Sequence, residues 1–233
     1  MANSMNKILA FGDSVLKGIV IKDGRYVVSP DKFTALTELR TGLQIENKGH
    51  MGHTIMQFER VINRCEETFH DPSFDCILLE YGGNDCDFNW KEVAAAPEQS
   101  HLSKVPRDFF ISEYIRHIEF LKSLDKKVLL LSLPPIDGER YFQWFSKTLD
   151  GEHVLQWLHN DTSFLTHWHE SYNLAVYRVG AITQTPVIDI TTPFLEKRNF
   201  SDYLCEDGIH PNELGHKLIA DVLIPLLTKE REG

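Results

Sequence analysis

Ile8-Leu9-Ala10-Phe11-Gly12-Asp13-Ser14 is the stretch that decides the fold. Four apolar residues in succession, without polar alternation, suit a strand covered on both faces, and Gly12 ends the run. The pattern recurs at Cys76-Ile77-Leu78-Leu79, which breaks at Gly82-Gly83, and at Val128-Leu129-Leu130-Leu131, stopped by Pro134-Pro135. Pro186-Val187-Ile188-Asp189 is a further such run, and a shorter strand is expected near Leu43-Gln44-Ile45-Glu46. Between these runs, helices are expected over 31–42, 55–69, 106–124, 168–179 and 212–227. Phe110, Tyr114, Ile118 and Leu121 mark the packed stripe of the 106–124 helix, and Leu214, Leu218, Val222 and Leu226 that of the last one.

Buried strands alternating with helices predict a parallel sheet covered on both sides. The expected architecture is a three-layer α/β/α, flavodoxin-like fold. Its five-stranded parallel sheet has the order 2-1-3-4-5, and residues 1–233 form one domain. No repeat, low-complexity segment or linker divides the chain. In such a sheet every loop following a strand emerges at the carboxyl edge, and sites form where strand order reverses. Ser14, Gly52 and Asn84 follow the first three strands, and Asp207 and His210 follow the fifth, so the topology predicts that they converge.

Composition narrows the function classes. The formal charge of −10 argues against nucleic acid, which needs clustered Lys and Arg, and against an anionic membrane surface. No run approaches the roughly 20 apolar residues of a membrane span, so no stable membrane insertion is expected. Cys65, Cys76, Cys86 and Cys205 lie far apart with no CxxC pair, which fits reduced thiols better than a zinc ribbon or disulfide framework. No apolar stretch precedes the first strand, and a cytoplasmic location is the expectation.

Four segments carry chemistry. Ser14 begins a turn after a buried strand, where it could act as a nucleophile or simply as a helix cap. Asp13 reads as an acceptor for loop N–H groups. Asn47-Lys48-Gly49-His50-Met51-Gly52-His53-Thr54 offers two glycines whose amides could approach a ligand. Gly82-Gly83-Asn84-Asp85 places a side-chain amide where it could donate to a developing oxyanion. Asp207 and His210, three residues apart on one turn before Pro211, have the order of an orienting acid and a general base.

Together these segments resemble the SGNH hydrolases, the GDSL esterase and lipase family. The matching stretches are Gly12-Asp13-Ser14, Gly52, Gly82-Gly83-Asn84-Asp85 and Asp207 to His210, in order from about residue 7 to 228. The resemblance implies Ser14 as nucleophile, His210 as base and Asp207 as its partner, with the Ser14 and Gly52 amides and the Asn84 side chain as oxyanion donors. Gly49 is the other candidate in the second block. Two positions depart from the family pattern: Val15 replaces the family leucine, and His53 stands where many members carry Asp. No Gly-x-Ser-x-Gly elbow of the ordinary α/β-hydrolases is present. The resemblance implies a serine esterase acting on a small-molecule ester, with no metal or cofactor, leaning to short-acyl esters such as O-acetylated carbohydrates. Lysophospholipase and thioesterase activities share the same triad. A metal-dependent phosphoesterase using Asp13, Asp85, Asp207 and His210 with His50 or His53, and a non-catalytic binding module, are the more remote alternatives.

The stretch from Asp137 to His169 reads as an insertion over the carboxyl edge. It holds Tyr141, Phe142, Trp144, Phe145, Trp157, Phe164 and Trp168. Tyr141 and Trp144 are the candidate substrate-binding residues. A substrate wall, a lid, a helical core of its own and a contact between copies in a homo-oligomer all remain open.

Overall fold

The computed structural model describes residues 6–64 and 66–232. The first half runs β1 (Lys7–Gly12), α1 (Ser14–Lys17), β2 (Ile19–Lys22), β3 (Arg25–Val28), α2 (Phe33–Thr41), β4 (Gln44–Asn47), α3 (Ile55–Arg64), α4 (Glu66–His70) and β5 (Cys76–Glu80). The second half runs α5 (Trp90–Ala95), α6 (Arg107–Ser123), β6 (Lys127–Leu131), α7 (Gly138–Phe145), α8 (Gly151–Trp157), α9 (Ser163–Thr183), β7 (Val187–Ile188), α10 (Thr192–Leu195) and α11 (Glu213–Glu232). The main sheet has the order β4-β1-β5-β6-β7 with every pairing parallel. Counted along the chain, that is the expected 2-1-3-4-5.

The unbroken apolar runs divide between two cores because successive side chains point to opposite faces. Leu9, Phe11, Ile77, Leu79, Val128 and Leu130 join α3, α6 and α9 in one core. Ile8, Ala10, Cys76, Leu78, Leu129 and Leu131 join α2 and α11 in the other. Phe110, Tyr114, Ile118 and Leu121 of α6 are fully buried, as their spacing predicts.

The expected 55–69 helix is met by α3 and α4, which lie on either side of Cys65, itself outside the described residues; Cys76, Cys86 and Cys205 are buried. Other features differ from the sequence reading. On α11 the packed face is Ile219, Ala220, Leu223 and Leu227, whereas Leu214 and Leu226 are 57% and 42% exposed. Apolar residues occupy more than half the helix circumference, so periodicity alone does not choose the face; packing on the sheet and against α2 does. Another is an additional antiparallel hairpin, β2–β3, outside the main sheet. Its turn residues Asp23 and Gly24 both have positive φ, 50° and 70°, the backbone that a two-residue hairpin turn favours and that Asp-Gly supplies.

Candidate active site

The Ser14 turn is built from the end of β1. Asp13 caps α1, its Oδ1 accepting the Val15 amide at 2.8 Å. Ser14 then sits buried at the mouth of a cavity of about 900 Å³. The last strand and the loop before α11 bring the acid and imidazole to the same edge, 196 residues along the chain. His210 bridges them: its Nδ1 lies 2.5 Å from Asp207 Oδ2 and its Nε2 lies 2.9 Å from Ser14 Oγ. The Asp207 Oδ1 accepts the Ile209 and His210 amides, which shapes the turn itself. Burial works to raise the Asp207 carboxyl, but the hydrogen bond and charge of His210 and these two amides outweigh it and hold it below its ordinary value. It is therefore an ionised acceptor at neutral pH, the state that orients an imidazole with Nδ1 protonated.

The expected oxyanion donors gather beside Ser14. Gly52 and Asn84 both line the cavity. Among the described residues nothing accepts from the Ser14 or Gly52 backbone N–H. Asn84 gives one amide hydrogen to Asp13 Oδ2 at 2.9 Å, which fixes its plane and leaves the second hydrogen available. The two glycines of the second block differ. Gly52 has φ +77° and open space where a Cβ would be, whereas a Cβ on Gly49 would lie 2.5 Å from the Lys17 backbone nitrogen. Gly49 is thus a packing glycine that lets β4's loop close on the Ser14 turn.

The cavity's far wall comes from the 137–169 stretch and from residues 87–91. The aromatics there divide. Tyr141, Trp144, Phe145 and Trp168 line the cavity. Phe142, Trp157 and Phe164 pack instead with Phe88, Val93 and Leu158 in a third small core. Asp87 organises the wall: Oδ1 accepts from Tyr141 Oη (2.7 Å) and Trp90 Nε1 (2.8 Å), and Oδ2 from Lys104 Nζ (2.7 Å). The Tyr141 hydroxyl is therefore already engaged, and its ring is what the cavity sees. Trp144 Nε1 donates to Tyr26 Oη at 2.8 Å. The wall is anchored to the loop that carries Asp207 and His210, since the Asp137 amide donates to the Gly208 carbonyl at 2.8 Å. Gly208 has φ +74°, and a Cβ there would lie 2.6 Å from the Asp137 carbonyl oxygen.

Tyr26 and His169 are among the cavity residues that escaped the sequence reading. Tyr26, on the hairpin, packs edge-on to the His210 ring with centroids 5.4 Å apart. Burial, with the Asp207 charge, pushes its phenol up to about 12. The Asp23-Gly24 turn signal would have located the hairpin, but not its partner. His169 on α9 lines the cavity, and burial drives it down to about 4, so it is neutral at physiological pH. Its signal is a histidine within a helical pattern, indistinguishable from a core position. Among the described residues no group of three or more His, Cys, Asp or Glu is arranged to hold a metal ion; His50 and His53 stack ring on ring. No described helix is long and apolar enough to cross a membrane.

Comparison with known proteins finds the same fold. The chain superposes on a lipase/acylhydrolase from Enterococcus faecalis at TM-score 0.68 and 19% identity, covering 97% of this chain and 96% of that one. A member of the lipolytic G-D-S-L family from Veillonella parvula gives 0.65 and 20%, covering 96% and 98%. An acetylxylan esterase from Geobacillus stearothermophilus gives 0.65 and 17%, covering 97% and 96%. At these identities the likeness is one of fold. A search of curated proteins finds no match. The family model for GDSL-like lipases and acylhydrolases matches residues 10–218, which spans every segment of the site just described. The chain belongs to the GDSL-like lipase/acylhydrolase family and is a serine hydrolase of carboxylic esters.

Proposed function

We propose that the chain hydrolyses short-acyl esters of a bulky, hydroxylated alcohol, such as O-acetylated carbohydrates, through an acyl-enzyme on Ser14. The observation that carries this is the bridge of His210 between Asp207 and Ser14 at 2.5 and 2.9 Å. Ser14 Oγ attacks the ester carbonyl as His210 Nε2 takes its proton, and Asp207 stabilises the imidazolium that forms. The carbonyl oxygen becomes an oxyanion held by the Ser14 and Gly52 amides and the Asn84 side chain. His210 returns the proton to the departing alcohol. Water, deprotonated by the same imidazole, then attacks the acyl-enzyme, and Ser14 recovers its proton.

The substrate class is supported by a cavity far larger than an acetyl group and faced with flat aromatic rings, the surface on which sugar rings stack. The acetylxylan esterase among the structural neighbours points the same way. A second reading, cleavage of longer acyl chains as in lysophospholipids or thioesters, draws on the apolar stretch Leu133, Pro134, Ile136 and Leu165 in the same cavity.

Hydrolysis of p-nitrophenyl esters from acetyl to decanoyl, wild type beside Ser14→Ala, each with and without EDTA, tests both. Activity highest on acetyl, abolished in the variant and indifferent to EDTA is the expected result. A decanoyl optimum would transfer the assignment to the second reading. Activity that survived Ser14→Ala, or died in EDTA, would overturn the serine mechanism.

A further inference from the structure

Glu80, the last residue of β5, is 1% exposed, and nothing in the acyl-transfer steps above uses it. Its Oε2 accepts two backbone N–H groups of the nucleophile turn, Asp13 at 3.2 Å and Leu16 at 3.3 Å. These flank Ser14 on either side. Its carboxyl also hydrogen-bonds the Asp13 carboxyl. Asp13 in turn holds the Val15 amide with one oxygen and the Asn84 side chain with the other. A single chain of contacts thus runs from Glu80 through Asp13 to Asn84, passing beneath Ser14.

Two glycines make room for it. A Cβ at Gly12 would lie 2.5 Å from the Glu80 carbonyl oxygen and 2.8 Å from Oε2, and one at Gly83 would lie 3.3 Å from Asp13 Oδ2. The first glycine of Gly-Asp-Ser is therefore required by the close approach of both the backbone and the side chain of residue 80. Two buried carboxyls in contact cannot both be ionised, because each negative charge raises the cost of the other. Burial, and then the charge of Asp13, raise Glu80 well above the ordinary carboxylate range. Burial raises Asp13 as well, but the Val15 amide and the hydrogen bond with Glu80 oppose it. The proton accordingly sits on Glu80 and the charge on Asp13.

We propose that neutral Glu80 is a positioning residue for the acyl-transfer chemistry, fixing the Ser14 amide and, through Asp13, the Asn84 amide at the oxyanion. This rests on the serine esterase reading above. A proton shared between the two carboxyls keeps one negative charge near the oxyanion where two would oppose it. The carboxyl oxygen that accepts two N–H groups gives the turn its shape before substrate arrives.

The test compares Glu80→Gln, Glu80→Asp and Glu80→Leu with wild type and Ser14→Ala on p-nitrophenyl acetate, with Tm measured for each. Gln accepts the two amides and donates to Asp13 as the neutral acid does, so kcat stays within about threefold. Asp keeps a protonatable carboxyl but withdraws it by one methylene, and kcat falls about tenfold. Leu leaves both amides without an acceptor, and kcat falls on the order of 100-fold with KM little changed, the scale of losing an oxyanion donor. If Glu80→Leu does not fold, the order of Gln above Asp decides. Asp equal to or better than Gln, or a Leu variant that alters KM while kcat holds, overturns the proposal. Ser14→Ala inactive beside three fully active Glu80 variants would sink this inference alone, whereas an active Ser14→Ala would sink the esterase reading beneath it.

Discussion

The two sides of the cavity are built on different principles. On the sheet side Ser14, Asp207 and His210 are buried, and each is bound to its neighbour by hydrogen bonds of 2.5 to 2.9 Å. On the far side Tyr141, Trp144 and Trp168 come from helices outside the sheet, and their polar tips are bonded to protein. Proton transfer needs atoms within hydrogen-bond reach at fixed angles, whereas a stacking surface needs only shape and flat area. Substitutions on the first side should therefore act on turnover, and those on the second on substrate choice.

The sharpest way to break that division is His210→Ala. It removes the proposed base, and kcat should fall by on the order of 10⁶, as loss of a triad member does elsewhere; steady-state hydrolysis of the preferred p-nitrophenyl ester reads it. Asn84→Ala should follow at about 10²–10³ in kcat, with KM within twofold. A larger effect on KM than on kcat would show that Asn84 holds the ground state.

Across the cavity, Trp144→Phe breaks the hydrogen bond to Tyr26 while keeping a ring in place. One net hydrogen bond is about 1 kcal/mol, so kcat/KM should shift by roughly fivefold, and unequally between a phenyl and a sugar acetate. A loss of a hundredfold or more would mean that the Tyr26–Trp144 link holds His210, and the division between the two sides would fail.

The smallest expected effect is on stability. Burial raises the Asp85 carboxyl from 3.8 to about 8. Between those values the folded state binds the proton more tightly than the unfolded chain, so stability falls as pH rises from about 4 to 8. Asp85→Asn, whose side chain still offers an oxygen to the Ile55 amide, should flatten that dependence in calorimetric Tm measured at pH 5 and pH 8. An unchanged slope would assign the dependence to other groups.

The same division explains what could be read from the sequence. Ile8 to Phe11 and its three counterparts announce a doubly covered sheet because a strand buried on both faces has no polar residue to hide. Ser14, Asn84 and the Asp207–His210 pair are legible because each stands at a strand's carboxyl end in a short stretch with turn chemistry of its own. Glu80 is not: a glutamate closing an apolar strand looks like the strand's exposed end, and only the turn folded over it buries it. Tyr26 likewise needs the hairpin to be placed against α7. Among the aromatics of 137–169, Phe142 and Phe145 are three apart on one helix, yet only Phe145 reaches the cavity. That distinction belongs to how α7 is rotated against α5 and α8.

The backbone bond from Asp137 to Gly208 carries a consequence for anyone who would re-engineer the specificity. The segment that shapes the wall is riveted at its root to the loop that presents the acid and the imidazole. Gly208 leaves no room for a side chain beside Asp137 and Tyr141. A chimera that transplanted a relative's 137–169 segment alone would strain the very turn on which turnover depends. The exchangeable cassette is the segment together with residues 201–210, because Arg140 and Asp137 also grip Ser201.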